Sequence, residues 1–296
     1  MSRRTWALFG AMCVIWGIPY LLIRVAVREL TPATLVFGRT FLGAAILLPF
    51  AAARGELRGL WRHRWPLLAF AAVEIAAPWF LLGSAEKRLT SSLTGLLLAA
   101  VPLIGAVVAT FSGDDDPLGG RRLVGLLLGL GGVAALVGLD LGNTDVLALV
   151  EVGATAVGYA VGPIMLSRWL SGVPGLGVMA VCLTACAVGY VPVAAFELPS
   201  KFPAGRVLAS VACLAAVCTA LAFVLFFRLI AEVGPTRATV ITYVNPVVAA
   251  VLGVTVLSER FTAGMAAGFA LVLAGSVLAT RPASRHEIAA VAAAEP

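Results

Sequence analysis

Three charged residues stand inside long apolar runs of this sequence: Arg39, Glu74 and Glu151. A charge at the centre of a hydrocarbon layer costs about 2.5–3.5 kcal/mol on insertion scales, so such groups face a cavity or a partner. At a helical rise of 1.5 Å per residue, Arg39 falls about 10 Å below one surface and Glu151 about 9 Å below the same surface; Glu74 falls roughly 14 Å from the opposite one, near the midplane. These depths predict that Arg39 pairs with Glu151 or Glu74. An internal ion pair of this kind either locks two helices together, or holds the charged end of a polar ligand or relays a proton. Aromatics lie at similar depths: Trp16, Trp79, Tyr159 and Tyr243. Such side chains line small-molecule pockets, with apolar area and one polar handle, and also form interfacial belts. Trp16 and Tyr243 lie away from the ends of their runs, which favours a pocket. Trp6, Trp61, Trp65 and Trp169 sit near ends, as belt anchors do.

The elements that must position these groups are set by composition. Of 296 residues, 61% are hydrophobic and 12% charged, and the mean hydropathy is +1.02. Soluble domains carry about 25% charged residues. The apolar excess is too large for one buried core and must face lipid. A spanning helix needs about 20 mostly apolar residues. Ten such runs are present, at about 5–24, 32–53, 65–85, 91–111, 121–139, 145–167, 175–197, 207–229, 236–257 and 263–280. The chain therefore reads as an all-α polytopic membrane protein. The first run resembles a signal peptide but shows no small-residue cleavage site before Arg24, so it reads as a retained helix. The residues after Arg281 form a polar, Ala-rich tail over 282–296, expected to be disordered and cytoplasmic.

The net charge of +6 and pI near 9.4 do not indicate nucleic acid. The basic residues sit in short runs between apolar stretches rather than on one face, so they act as topology signals. With the N-terminus placed in the cytoplasm, thirteen Lys and Arg fall inside and seven outside, Arg39 being uncounted within a span. That imbalance predicts both termini inside, in a bacterial-type inner membrane. Cys13, Cys182, Cys186, Cys213 and Cys218 all lie in apolar runs, without a CxxC or a His spacing that would hold zinc. No P-loop of the form G-x-x-x-x-G-K-[ST] occurs, which argues against ATP-driven work by this chain. No metal or other cofactor is expected.

The chain repeats internally. Laying Pro102 over Pro246 aligns Leu89–Pro102 with Val233–Pro246 and brings Asp115 over Glu259. With one gap, Gly125 then meets Gly268 and Gly132 meets Gly275, and Pro49 meets Pro192 at nearly the same offset. Five helices per copy would insert the second copy upside down, giving residues 1–140 and 141–281 as two inverted five-helix repeats. Pro102 and Pro246, each within a span, are candidate hinges, because proline removes a backbone hydrogen bond and kinks a helix. Asn245 adds a side-chain amide at the second kink. Gly125-xxx-Gly129 and Gly264-xxx-Gly268 suit close helix packing, as scaffold or dimer contacts.

These features resemble the EamA-type branch of the drug/metabolite transporter superfamily over about residues 5–281. The resemblance rests on Trp16-Gly17 late in the first run, Arg39 in the second, Asn245-Pro246 through Leu257-Ser-Glu-Arg260, and the glycines of the last run in each half. It implies ten helices working by alternating access, often as an exporter of amino acids or other small metabolites, as monomer or homodimer. Two departures stand out: the triple acid Asp114–Asp116, and Glu74. Three readings follow. The leading one is a secondary carrier whose pathway is lined by Trp16, Arg39, Glu74, Trp79, Glu151, Tyr159, Tyr243 and Asn245, with a small molecule and the bilayer as partners. A second is a membrane-embedded enzyme acting on a lipid-linked substrate at Asp114–Asp116 with Arg121 and Arg122. A third is a passive sensor or scaffold subunit.

Overall fold

The computed structural model describes residues 2–111, 120–138, 145–234, 238 and 240–280. The Asp114–Asp116 segment, the boundary between the expected repeats and the 282–296 tail lie outside the described residues. Among the described residues, nine helices are long and apolar enough to cross a membrane, and a tenth apolar helix is shorter. In chain order they are α1 (Arg3–Ala26), α2 (Pro32–Ala53), α3 (Leu60–Ala85), α4 (Ser91–Val108), α5 (Gly120–Val137), α6 (Val146–Trp169), α7 (Gly175–Phe196), α8 (Gly205–Val233), α9 (Ile241–Leu257) and α10 (Ala263–Thr280).

Local chemistry sets the ends. Thr31, Thr90 and Asp145 precede α2, α4 and α6, and each accepts a hydrogen bond from a backbone N–H three residues on. This satisfies donors that a helix start leaves orphaned. Pro32 follows Thr31 at the first helical position, where its missing N–H costs nothing. Ser258, in the left-handed region at φ 57°, closes α9, and the N–H of Glu259 turns back to the carbonyl of Gly253 at 3.0 Å.

Several spans are interrupted. In α1, Arg3–Ile15 and Pro19–Ala26 are separate helices, with Trp16-Gly17 at the break. In α4 the helix stops after Leu98 and restarts at Val101, one residue before Pro102. Pro246, by contrast, sits inside a continuous α9. In α3, Ala71–Ala76 form a π-helical turn, and in α8, Ala216–Leu221 form another.

Each span of the first five packs on one of the second five. The main pairs are α2 with α7, α5 with α10, α4 with α9, α3 with α6, and α1 with α8. The α5–α10 seam is a glycine contact. A Cβ on Gly125 would stand 2.8 Å from the carbonyl oxygen of Gly275, and one on Gly132 would stand 2.7 Å from that of Gly268. Any larger residue would force the backbones apart. These glycines therefore serve as scaffold within the chain. Apolar side chains such as Leu127, Leu130, Val150 and Val188 are exposed, as a lipid-facing surface requires. Trp6, Trp61, Trp65 and Trp169 are exposed too.

Candidate functional site

Arg39 is the centre of the buried polar chemistry. Its helix is apolar throughout, so the guanidinium, only 7% exposed, must find partners inside the bundle. Its carbon Cζ lies 3.5 Å from the centre of the Trp79 ring, a cation–π stack from α2 to α3. Its Nε donates to Thr219 Oγ1 of α8 at 3.0 Å. Tyr20 of α1, Tyr159 of α6 and Cys218 of α8 lie within electrostatic reach of it. Tyr159 in turn reaches Glu74 and Glu86. It packs against both of the larger hydrophobic cores, and so stands where they meet. One cluster thus gathers groups from α1, α2, α3, α6 and α8.

The expected ion pair is not formed. Among the described residues, Arg39 has no acid within ion-pair distance. Glu151 is held instead by Arg88, and Ser84 Oγ donates to it at 2.8 Å. Arg88 also bridges to Asp145 at 3.2 Å. Depth alone placed Glu151 beside Arg39, but depth does not fix which face of α6 a side chain occupies. The network ties the α3 end to the α6 start.

Glu74 sits in the π-turn of α3, against Gly162 of α6. A Cβ at position 162 would overlap the carboxylate, so only glycine leaves room for it. Its Oε2 is sealed from solvent and has no hydrogen-bond partner. The turn has a local cause. Pro78 lacks the N–H that would bond the carbonyl of Glu74, and its ring crowds that carbonyl. Widening the preceding turn relieves the crowding. The turn of α8 contains no proline. There, Thr219 Oγ1 donates to the carbonyl of Leu214, five residues back, at 2.8 Å.

The other expected residues fall elsewhere. Trp16 packs on Phe223 and Phe226, with ring centres 6.0 and 4.7 Å away. Asn245 is buried; with its amide nitrogen donating, it bonds the carbonyls of Ile241 at 2.9 Å and Cys13 at 3.0 Å, clamping α9 to α1. Tyr243 is not brought to the Arg39 cluster: its hydroxyl shares a hydrogen bond with Thr280 at the end of α10, at 3.2 Å.

Three more polar groups hold buried contacts. Thr219, a hydroxyl in an apolar run, is the partner of Arg39. Glu86 follows α3 and precedes Lys87-Arg88. It is fully buried, neither carboxylate oxygen has a partner, and Arg24 donates to its backbone carbonyl. Glu259 accepts from the N–H and Oγ of both Ser91 and Ser92, at 2.6–3.0 Å, at the start of α4. Its place in the Leu257-Ser-Glu-Arg260 turn was the available signal.

Among the described residues, an all-helical bundle of apolar spans, packed around a buried cation–aromatic cluster, defines a polytopic membrane protein. The chain belongs to the EamA-like transporter family, whose model matches residues 4–138 and again 148–281. It is 31% identical over 267 residues to the uncharacterized inner membrane transporter YedA of Escherichia coli strain K12, covering 85% of this chain and 83% of that one. An uncharacterized transporter of Archaeoglobus fulgidus is 25% identical over 97% of this chain and 100% of its own, and the uncharacterized transporter YvbV of Bacillus subtilis 23% over 98% and 96%. A solved crystal structure 23% identical in sequence has the same fold, with a TM-score of 0.67 over 95% of this chain and 97% of that one. The protein is thus a multi-pass inner-membrane protein of a transporter family.

Proposed function

We propose that this chain is a secondary carrier that exports a small amphipathic metabolite, an amino acid being the class that best suits the site. The observation that carries this reading is the buried Arg39. Its flat face is spent on Trp79 and its Nε on Thr219, while no acid among the described residues neutralises it. Its Nη atoms suit a substrate carboxylate, which a guanidinium binds in a bidentate fork. Glu74, whose Oε2 is unpartnered and which lies within electrostatic reach of Tyr159, suits a substrate ammonium. Trp79 and Tyr159 supply apolar walls. Residues 1–140 and 141–281 would be inverted repeats, and rocking of one against the other would open the cluster to each side in turn. The pairing of each early span with a late one, and the double match of the family model, support that division. The breaks at Trp16-Gly17 and before Pro102, and Pro246 in α9, are the proposed flexing points. Both termini are placed in the cytoplasm on the Lys and Arg distribution.

Comparing extracellular metabolites of cells that overproduce the wild-type protein and its Arg39→Gln variant tests this. The reading expects at least one amino acid or related zwitterion to accumulate outside with the wild type alone. Equal profiles from both strains would remove the role given to Arg39.

A further inference from the structure

A groove of about 630 Å³ opens on the outside of the bundle, where the 54–59 loop and the start of α3 meet α2 and α7. Its size is within the ~300–1,000 Å³ usual for ligand sites. Leu48, Leu67 and Ala185 line its floor, and Trp61, Arg64 and Trp65 its rim. Nearby Ile46, Leu68 and Val188 are exposed, so this face of the bundle adjoins hydrocarbon rather than water. The rim carries the opposite chemistry. The Arg64 guanidinium lies 5.5 Å from the Trp61 ring and 5.7 Å from that of Trp65, and has no acidic partner among the described residues. Arg58 in the loop and Arg62 in the first turn of α3 are exposed, whereas Arg54 is taken by Glu56 at 2.7 Å. Tryptophans of this kind mark headgroup depth. An occupant must therefore be apolar along its length and negative at the end that meets the loop.

We propose that this groove binds an anionic phospholipid, with an acyl chain along the Leu48–Leu67–Ala185 floor and its phosphate on Arg64. Arg64 then favours a lipid of net negative charge over a zwitterionic one, whose own ammonium competes for the phosphate, since a basic residue beside a membrane surface attracts anionic headgroups. The site is separate from the Arg39 cluster and does not depend on what the protein carries.

Native mass spectrometry of the delipidated full chain tests this, with phosphatidylglycerol and phosphatidylcholine of identical chains offered in equal amount. The wild type should retain phosphatidylglycerol about fivefold over phosphatidylcholine, the ratio that one arginine at a membrane surface supplies. Arg64→Gln should bring the two to near parity, and Ala185→Phe, which fills the floor, should lower retention of both. Arg206→Gln, in the first turn of α8, should leave the preference unchanged. Leu68→Phe, on the exposed lip, is the second groove-filling variant should Ala185→Phe fail to fold. Equal retention of the two lipids by the wild type would overturn the proposal, as would a preference that survives Arg64→Gln and a filled groove. So would displacement of the bound lipid by glycerol 3-phosphate, which has the headgroup chemistry without the chains.

Discussion

The third and eighth spans bend alike for different reasons. Ala71 and Ala216, which open their π-helical turns, stand 145 positions apart, close to the offset at which the two halves of the sequence align. In α3 the turn follows from Pro78, which cannot satisfy the carbonyl of Glu74. In α8 it is held by the Thr219 hydroxyl on the carbonyl of Leu214. Glu74 and Thr219 occupy the same place in their turns, yet one is an unpartnered acid and the other supports Arg39. The two turns share a backbone shape and differ in chemistry. π-Turns are frequent at functional sites, because they free backbone groups and re-aim side chains.

This asymmetry is open to direct attack. Removing the acid should do the most damage: Glu74→Gln is expected to lower transport in proteoliposomes about tenfold or more, since a midplane carboxylate without a structural partner has only its ligand to lose. Thr219→Val should lower it less, by a few-fold, and Thr219→Ser should restore it by keeping both hydrogen bonds. Equal losses at the two positions would erase the distinction.

The glycines facing the two turns sharpen it. Gly162→Ala places a methyl on the Glu74 carboxylate and should cost nearly as much transport as Glu74→Gln. Gly43→Ala meets the Thr219 methyl at 3.4 Å, an ordinary contact, and should be nearly silent in the same assay.

Away from the turns the effects should fall on stability. Glu259→Ala leaves four donors at the start of α4 without their acceptor. Hydrogen bonds to a charged group contribute about 1.5–3 kcal/mol each at most, so the unfolding temperature in detergent should drop by about 5 °C or more. Glu151→Gln, in the partly exposed network with Arg88 and Asp145, should shift it by about 2 °C or less.

The spans were legible because hydrocarbon imposes length and apolarity together: α2 and α10 begin and end at the expected residues, and most others agree within a few. The largest departures are α3, which starts at Leu60 rather than near 65, and α8, which runs from Gly205 to Val233 rather than from 207 to 229. Arg39, Trp79 and Tyr159 were legible as a cluster because charge and aromaticity at depth are rare. Their true partners were not. Facing residues depend on helix rotation, which a uniformly apolar helix does not encode in its pattern. Glu151 and Tyr243 were accordingly placed by depth alone, and each meets a different neighbour. Nor did sequence disclose the π-turns: Ala71-Ala-Val-Glu-Ile-Ala carries no signature until Pro78 is read as crowding the carbonyl of Glu74, and Thr219 gains its meaning only when Leu214 and Arg39 are seen on either side of it.

The most direct measurement is solute counterflow across an amino-acid panel in proteoliposomes, with the wild type and Arg39→Gln compared at matched folded protein. The account predicts that the wild type exchanges at least one zwitterion and that Arg39→Gln exchanges none. A wild type that moves no solute, or an Arg39→Gln variant that exchanges at the wild-type rate, would contradict it.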